Sequence, residues 1–593
     1  MKRLSIMFAA LALSATPAVA AECKLGVMAD LPVTMEGMRA SVPVKIDGKD
    51  TRLWLDSGAF FSIMPKAKAL ELGLKIGAAP FGLRVLGIGG DSSPDLATVK
   101  RFGIADNSLE NIQFLVGGTD VGNGLIGRNL LAMADTDFDL AGGSVKLIRP
   151  HDCNAVGMTY WAPDKPYFLA PLEVGDNPNN RTFAVKVRIN CAEIKAEYDS
   201  GAPDTLLSRS AAEKAGIALT GPGVVPIRGI SGLGQRTKPG WSVPVASVAI
   251  GDETVLKTRL DVIDGPIISG GAGPDMLIGT DYMLAHQIYF ARAQRSIYFT
   301  YSGGKAFRSS AAAPPSSPQV ALPVNLRRVA PVSNADATPK TAEEFARRGS
   351  ARLAQRAFDD AVADLTQAIT LAPDDAAYYR DRALAYQASG ERGLARTDIE
   401  KALSLAPDDG VLLRTRALLR LREQDRVGAL SDTEAAARAT PPTALDMVPI
   451  AHLFARLDQP ARGIALLSPV IASHPKDQAL PSLLNARCWM RAQADLELDA
   501  ALDDCNLAVK LAGGPPAFLD SRGLAYLRKG NFLAAITDFD AALALDPKLA
   551  WSLYGRGVAR IALGQKDAGE ADKAAARAIL PGLPEEAARH GIK

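Results

Sequence analysis

The sequence has few of the residues that build metal and cofactor sites. Its 593 residues include only five cysteines and five histidines, and none of them has the spacing of a metal-ligand motif. The five histidines, which are scattered along the chain, are His151, His286, His452, His474 and His590. We therefore expect no metal and no cofactor. The formal net charge is only +2, so charge does not favour nucleic acid as a partner.

Long apolar runs are also missing beyond the N-terminus, so we expect no membrane-spanning helix in the rest of the chain. Residues 1–20 have the pattern of a secretory signal peptide: Lys2-Arg3, an apolar run from Leu4 to Leu13, and Ala18-Val19-Ala20 before the cleavage site. A membrane anchor is the alternative, but it needs a longer apolar run. The mature protein is expected to be periplasmic or secreted, with the signal cleaved near Ala20 and no anchor left.

The most informative feature that is present is a short phrase that occurs twice. Asp56-Ser57-Gly58-Ala59 and Asp199-Ser200-Gly201-Ala202 each follow a stretch typical of a β-hairpin. A single Asp-Ser-Gly would indicate no more than a turn. The interval from Asp56 to Asp199, which we call the repeat offset, also aligns alternating apolar residues of the preceding strands: Val42 with Val185, Val44 with Val187, and Ile46 with Ile189. The aligned apolar residues alternate with a period of two residues, as in a β-strand, which indicates two copies of one β unit.

Three further features follow the phrase in the same order in both halves. A glycine-rich tip comes first, at Gly87-Ile88-Gly89-Gly90 and at Gly229-Ile230-Ser231-Gly232. An entry into a short helix comes next, at Leu125-Ile126-Gly127 and at Leu277-Ile278-Gly279. A closing hairpin ends each half. The repeated order makes a chance set of turns a poor explanation.

This ordered set resembles the retroviral-type (retropepsin-like) aspartic proteases. Their half-unit carries Asp-Ser/Thr-Gly-Ala, a glycine-tipped flap, and two apolar residues plus Gly before a short helix. The resemblance implies an all-β, pseudo-twofold pair of half-domains within one chain. The expected boundaries are 24–150 for the first half-domain, 151–180 for a connector rich in Pro and Asn, and 181–302 for the second half-domain.

The resemblance further implies a peptide hydrolase with Asp56 and Asp199 as the catalytic pair. Two facing carboxyls share one proton; the ionised one activates a water molecule, and the protonated one donates to the substrate carbonyl oxygen. The other residues of the two loops support this pair: they hold the loops in register, allow the tight backbone and leave space for a substrate main chain. These residues are Ser57, Gly58, Ala59, Ser200, Gly201 and Ala202.

The glycine tips are expected to act as flaps that pair with an extended polypeptide substrate; ordinary hairpin turns are the alternative for the glycines alone.

Two departures from the family concern ion pairs. Retroviral enzymes pair an Asp two residues after the loop Gly with the Arg after the helix Gly, but here those Asp positions hold Phe60 and Pro203. Arg128 is therefore expected to lack this partner, and Thr280 stands in place of the second Arg.

The cysteines fit an exported chain, in which disulfides can form. The resemblance implies that the two ends of a half-domain lie close together, which favours a Cys23–Cys153 disulfide. Cys488 and Cys505 fall on a predicted helix pair, and they can also meet. An odd number of cysteines leaves at least one free or intermolecular, and Cys191 is expected at a hairpin tip.

The second half of the chain has a different composition. Residues 303–340 are rich in Pro, Ala and Ser without a sustained period, which is typical of an extended linker. Prolines then recur at one constant interval, at Pro373, Pro407, Pro441 and Pro475. This interval is the period of tetratricopeptide repeats. It predicts an all-α solenoid of about seven units over 341–582, with a capping helix or tail at 583–593.

Together these features predict a multidomain, exported aspartic endopeptidase whose repeats recruit a polypeptide substrate or a protein partner. One alternative is a catalytically silent peptide-binding or scaffold protein with the same two folds. Another is that each half pairs with a second molecule, although a connector of this length favours internal pairing in a monomeric chain. The repeats can also be read as a mere spacer.

Overall fold

The computed structural model describes residues 23–117, 124–154, 156–163, 165–173, 182–233, 237–268, 273–307, 327–328, 338–475 and 479–592. The predicted signal peptide and most of the predicted linker lie outside these residues. Within the described part of the chain, no helix combines the length and the apolar character that a membrane crossing requires. The chain forms two β lobes, one around each copy of the repeated phrase, followed by a stack of helices.

The first lobe contains short strands and two short helices. Its strands are β1 (Lys24–Pro32), β2 (Thr34–Glu36), β3 (Arg39–Ile46), β4 (Lys49–Leu55), β5 (Ile63–Met64), β6 (Ile76–Ala78), β7 (Val85–Gly87), β8 (Gly90–Ser92), β9 (Asp95–Ile104), β10 (Asn107–Val116), β11 (Leu125–Ile126), β12 (Asp135–Asp139) and β13 (Ser144–His151). Its helices are α1 (Lys66–Glu71) and α2 (Arg128–Leu131).

The second lobe repeats this order after two strands of the intervening segment, β14 (Val156–Gly157) and β15 (Phe168–Pro171). Its strands are β16 (Ala184–Ile189), β17 (Ala192–Tyr198), β18 (Leu206–Ser208), β19 (Val225–Ile230), β20 (Lys238–Ile250), β21 (Glu253–Ile263), β22 (Met276–Ile278), β23 (His286–Ala291) and β24 (Ser296–Tyr301). Its helices are α3 (Arg209–Lys214) and α4 (Thr280–Met283), and a two-residue strand β25 (Arg327–Arg328) pairs with β14.

Both lobes share one strand arrangement around the repeated phrase. The β3–β4 and β16–β17 hairpins turn at Asp47 and Asn190, which both have positive φ angles of about 50°. The short strand β11 lies parallel to β4 and antiparallel to β5. In the same way, β22 lies parallel to β17 and antiparallel to β18. These inserted strands bring the turns at Gly127 and Gly279 beside the loops that follow β4 and β17.

A six-stranded sheet, in the order β1-β13-β12-β23-β24-β15, joins the two lobes. Its centre is the antiparallel pairing of β12 with β23, which sets Thr136 opposite Phe290. The buried rings of Phe138 and Phe183 pack edge to face against Phe290 at this junction. The lobes are thus joined by backbone hydrogen bonds as well as by apolar burial.

Part of the segment 151–180, predicted as a connector, is built into the joining sheet, while residues 155, 164 and 174–180 lie outside the described residues. Phe168 and Ala170 are buried, and β15 pairs with β24 at the edge of the joining sheet. The prolines and asparagines of this segment indicated a connector without regular structure. The strand β15 is too short for its alternation of apolar and polar residues to be recognised in the sequence.

The C-terminal part is a row of antiparallel helix pairs. The helices are α5 (Ala342–Ala354), α6 (Phe358–Leu371), α7 (Ala376–Ser389), α8 (Arg392–Leu405), α9 (Gly410–Arg422), α10 (Arg426–Ala439), α11 (Met447–Arg456), α12 (Pro460–Ser473), α13 (Leu480–Ala494), α14 (Leu498–Ala512), α15 (Pro516–Arg528), α16 (Phe532–Leu545), α17 (Ala550–Ala562), α18 (Lys566–Ile579) and α19 (Leu583–Arg589).

A buried arginine–aspartate pair joins the two helices in most repeats. Each arginine of the first helix donates two hydrogen bonds to an aspartate of the second helix, as in Arg382 to Asp398 at 2.7 Å. The other pairs of this kind are Arg348–Asp364, Arg416–Asp432, Arg487–Asp504, Arg522–Asp538 and Arg556–Asp572. In the fourth repeat, Ile450 and Leu466 stand at the equivalent positions, so this repeat lacks the pair.

The structure contains both predicted disulfides. Cys23 and Cys153 are joined with their Cα atoms 4.6 Å apart, which ties the start of β1 to the end of the first lobe. Cys488 and Cys505 join α13 to α14, with Cα atoms 5.6 Å apart. Cys191 is a free, exposed thiol between β16 and β17.

Candidate active site

The two copies of the repeated phrase meet at the junction of the lobes. Asp56 directly follows β4, and its backbone N–H donates to the Ile126 carbonyl at 3.0 Å. Asp199 directly follows β17, and its N–H donates to the Ile278 carbonyl at 2.9 Å. The inserted strands β11 and β22 therefore fix the start of each loop.

Ser57 and Ser200 hold the two loops together by a symmetric set of hydrogen bonds. The N–H of each serine donates to the hydroxyl oxygen of the other at 3.0 Å. The Ser57 hydroxyl donates to the Tyr198 carbonyl at 2.8 Å, and the Ser200 hydroxyl donates to the Leu55 carbonyl at 3.0 Å. Both serines are fully buried, so this network sets the register of the loops in the way that the resemblance implied.

The carboxyl groups of Asp56 and Asp199 lie close enough for each to shift the pKa of the other. Each also packs against the glycine of the opposite loop, because a Cβ atom on Gly58 or Gly201 would lie 2.5 Å from the facing carboxyl carbon. Only glycine fits there. The carboxyls accept hydrogen bonds from the loop backbone, at 2.7 Å from Ala59 N–H to Asp56 and at 2.9 Å from Gly201 N–H to Asp199.

The two carboxyls have different electrostatic surroundings. Burial raises the pKa of Asp56, while hydrogen bonds from the loop and the nearby Arg39 guanidinium oppose this rise. Burial raises the pKa of Asp199 well above its ordinary value, and the charges of Asp56 and Glu197 raise it further. Such a pair titrates in two steps. The arrangement favours a single shared proton that resides on Asp199.

The two glycine tips lie against each other. The tip between β7 and β8 donates from Gly89 N–H to the carbonyl of Leu233 at 2.8 Å. A Cβ atom on Gly87 would lie 2.5 Å from Leu233, and one on Gly232 would lie 2.9 Å from Ile88. Gly90 begins β8, whereas Gly229 and Ile230 end strand β19. The turn of the second tip therefore starts at Ser231, slightly later than the sequence predicted.

Apolar side chains cluster beside each of the two aspartate loops. On the first-lobe side, Ala59 and Val85 belong to a cluster that also includes Leu233 from the opposite tip. On the second-lobe side, Ala202 and Ile230 belong to a cluster that includes Ile88 from the first tip. Each wall of the site thus combines its own loop with both tips.

Arg128 lacks the Asp partner of the family, but it has a different acidic partner that sequence reasoning did not identify. Arg128 forms an ion pair with Glu197 of the other lobe, and both side chains are largely buried. The sequence comparison looked for the acid after the loop glycine, but it comes from the strand before the loop. Glu197 is the counterpart of Trp54 at the repeat offset. The guanidinium of Arg128 also lies 5.2 Å from the centre of the Phe60 ring.

Two hydrogen-bonded pairs that support the loops were missed by sequence reasoning. In the first lobe, the Ser62 hydroxyl donates to Asn129 at 2.9 Å and accepts from Gly127 N–H at 3.1 Å. In the second lobe, the Thr205 hydroxyl donates to Asp281 at 2.7 Å and accepts from Gly279 N–H at 3.0 Å. The repeat offset aligns Ser62 with Thr205, so an alignment of the two halves could have identified both hydroxyl residues.

Arg39 is a further residue of the site that the sequence analysis did not identify. Its guanidinium lies 4.2 Å from the centre of the Trp54 ring, and its charge lowers the pKa of Asp56. The indole N–H of Trp54 donates to Glu36 at 3.0 Å. The β2–β3 hairpin, which carries Glu36 and Arg39, therefore forms part of the surroundings of the dyad.

Among the described residues, no group of three potential metal ligands is assembled.

The fold and the site define a two-lobed aspartic protease architecture joined to helical repeats, and the family comparisons agree. The aspartyl protease model matches residues 42–130 and 185–282, one match in each lobe. The TPR repeat model matches 523–564, and the tetratricopeptide repeat model matches 376–409. The N-terminal half thus carries two aspartyl protease units, and the C-terminal half is a tetratricopeptide-repeat domain. No similar sequence was found among curated proteins.

Several solved structures show limited similarity to part of this chain. A tetratricopeptide repeat protein from Parabacteroides merdae is 16% identical, with a TM-score of 0.35 over 42% of this chain and 99% of that chain. Pseudomonas aeruginosa pilF is 13% identical, with a TM-score of 0.25 over 42% and 97%. The Cut9–Hcn1 hetero-tetramer of the APC/C is 15% identical, with a TM-score of 0.31 over 37% of this chain and only 43% of that chain.

Proposed function

We propose that the protein is an aspartic endopeptidase in which Asp56 and Asp199 hydrolyse a peptide bond with an activated water molecule. The close approach of the two carboxyls, each packed against the glycine of the opposite loop beside the serine network, carries this proposal. Asp56 is the general base, because Arg39 and the Ala59 N–H stabilise its ionised form. Asp199 holds the proton and donates it to the substrate carbonyl oxygen.

The substrate is an extended polypeptide that enters between the two glycine tips. Since the tips contact each other through Gly89 and Leu233, they must separate to admit a chain. The apolar walls on both sides of the dyad offer burial to the side chains that flank the scissile bond. A polypeptide strand can then pair with the flap backbones.

Isosteric substitution of the dyad tests the activity. Asp56→Asn and Asp199→Asn keep the size of each side chain but remove the shared proton, so the cleavage rate of an unfolded casein-like substrate should fall by about 10³-fold or more. Asp106→Asn, in an exposed turn between β9 and β10, is the matched control and should cleave normally. If the wild type and both dyad variants behave alike, the protein is the catalytically silent binder instead.

The repeats supply a surface for a polypeptide substrate or a protein partner. On the row of first helices, Trp489 of α13 packs edge to face with Trp551 of α17, with ring centroids 5.4 Å apart. Asp520 of α15 is buried and accepts a hydrogen bond from Ser552. Both tryptophan side chains are partly exposed, and we call Trp489 and Trp551 the tryptophan patch.

The tryptophan patch offers partly exposed aromatic surface, which suits a polypeptide. Trp489→Ala should weaken binding of the unfolded substrate by about tenfold, because an aromatic contact in a binding surface contributes about 1.4 kcal/mol. Titration with the Asp56→Asn background, in which the substrate stays intact, measures this affinity. Trp161→Ala, in the protease lobes, serves as the control.

Export to the periplasm or the medium is the proposed location. Two disulfides are present, and structural disulfides persist in oxidising compartments. Fractionation of a Gram-negative host that expresses the full chain should yield the processed protein outside the cytoplasm, with Ala21 as its first residue. Retention of residues 1–20 on a cytoplasmic protein would contradict the proposal.

A further inference from the structure

The first repeat helix is packed into the protease lobes. Ala351 of α5 is fully buried in the same apolar core as Val33 and Phe307. On the same helix, the Ser350 hydroxyl accepts a hydrogen bond from the Met35 N–H of β2 at 3.0 Å, and both residues are buried. These contacts exclude the reading of the repeats as a detached spacer.

The same helix also contacts the second lobe. Gln355, which follows α5, donates from its side-chain amide to the carbonyl of Leu284 at 2.6 Å. Leu284 directly follows α4, the short helix that begins after Gly279 beside the loop that carries Asp199. The end of α5 therefore holds one end of α4, while its middle holds β2 of the first lobe.

The two elements held by α5 meet beside the dyad. The hydroxyl of Thr280, the first residue of α4, donates to the carbonyl of Met38 in the β2–β3 turn at 2.7 Å. The Thr280 N–H donates to the carbonyl of Ala202 in the catalytic loop at 2.9 Å, and the Thr280 side chain is fully buried. A continuous set of hydrogen bonds thus runs from the repeat domain to the loop that carries Asp199.

The departure at Thr280 now has a structural reason. Arg128 occupies the equivalent position in the first lobe and reaches across to Glu197. The smaller Thr280 instead leaves room for the β2–β3 turn, which contains Gly37 and Met38. This turn is held in place because β2 is bonded to α5. The two lobes therefore use the same position for different purposes.

We propose that α5 is a positioning element for the second catalytic loop, acting through Ser350 on the β2–β3 hairpin and through Gln355 on helix α4. The repeat domain is then a structural part of the protease site rather than a recruitment module alone. The effect of α5 on catalysis rests on the proposed function. The effect of α5 on the geometry of the loop does not. Small displacements of catalytic groups reduce turnover strongly.

The kinetic test uses the full chain and the double variant Ser350→Ala with Gln355→Ala. Its kcat, per active site titrated with a transition-state-analogue inhibitor, should fall about tenfold with KM changed by less than about twofold. The matched control is Ser404→Ala with Gln367→Ala, two exposed residues on α8 and α6, which should leave both constants unchanged. Thr280→Val should reproduce the loss, and Thr280→Ser should restore the rate. A wild-type kcat in the double variant and in Thr280→Val would overturn the proposal.

Hydrogen exchange separates this proposal from the proposed function. Amides of the 199–205 loop should exchange faster in the double variant and in Thr280→Val than in the wild type or the control, whether or not the protein cleaves peptides. Unchanged exchange in this loop would overturn the positioning role. A chain that shows this faster exchange but has no proteolytic activity would instead refute only the endopeptidase.

Discussion

At the scale of single residues, the dyad is asymmetric because its neighbours differ. Arg39 lies near Asp56 and lowers its pKa, whereas the charge of Glu197 adds to the burial and the Asp56 charge that raise the pKa of Asp199. Glu197 is itself held by Arg128. A shared proton therefore has one preferred site, Asp199, and the proposed function takes its base and acid from this asymmetry.

Glu197→Gln should move the alkaline limb of the kcat/KM profile to lower pH. Removing the Glu197 charge lowers the pKa of Asp199, so the shared proton leaves at a lower pH than in the wild type. Stability should also fall by about 3 kcal/mol, because Arg128 is left buried without its partner. The exposed Glu193 lies on the same strand, and Glu193→Gln should change neither property. An alkaline limb that stays in place would contradict the electrostatic role of Glu197.

Asp520 makes a stability prediction with a defined sign. Burial raises its pKa to about 7 from 3.8. The unfolded chain therefore loses this proton near pH 4 and the folded chain near pH 7, so the folded state binds more protons between these values and becomes less stable as pH rises. At pH 8, Asp520→Asn should be more stable than the wild type by up to about 4 kcal/mol, and the difference should vanish near pH 4.

Urea unfolding of the full chain at pH 5 and pH 8 measures this difference. The exposed Asp503, on α14, provides the control, and Asp503→Asn should show no pH-dependent gain. An Asp520→Asn variant that is no more stable than the wild type at pH 8 would show that Asp520 is ionised at little cost in the folded protein.

At the scale of elements, the disulfide between α13 and α14 constrains the fifth repeat. It closes a loop with a sequence separation of 17 residues. Replacing Cys488 and Cys505 by serine should lower stability by about 3 kcal/mol, mainly by giving the unfolded chain more freedom. Thermal unfolding compares this variant with Cys191→Ser, which changes only the free thiol and should unfold like the wild type. Equal melting of all three proteins would contradict a stabilising bridge.

The elements that sequence predicted well are those with a repeated pattern. The regular spacing of the prolines indicated the helix pairs, and the repeat offset indicated both catalytic loops because the same turns recur at Asp56 and Asp199. The contact of Arg128 with Glu197 was missed because it crosses between lobes and occurs once. The edge strand β15 was missed because its few residues form a pair only in the assembled sheet.

At the scale of the whole molecule, the two lobes assemble within one chain through the β12–β23 pairing and the packing of α5 on both lobes. We predict that the protein is active as a monomer, so its specific activity should not depend on protein concentration. Sedimentation velocity across the range used for assays provides the check. Activity confined to a dimer would mean that each lobe pairs with another molecule.

The two lobes are unlike beside the dyad, where Trp54 and Glu197 occupy equivalent positions, one aromatic and one acidic. A site built from two identical chains would accept a peptide equally well in either direction. Under the proposed function, a forward and a reversed peptide would meet different surroundings here, and one chain polarity would bind preferentially.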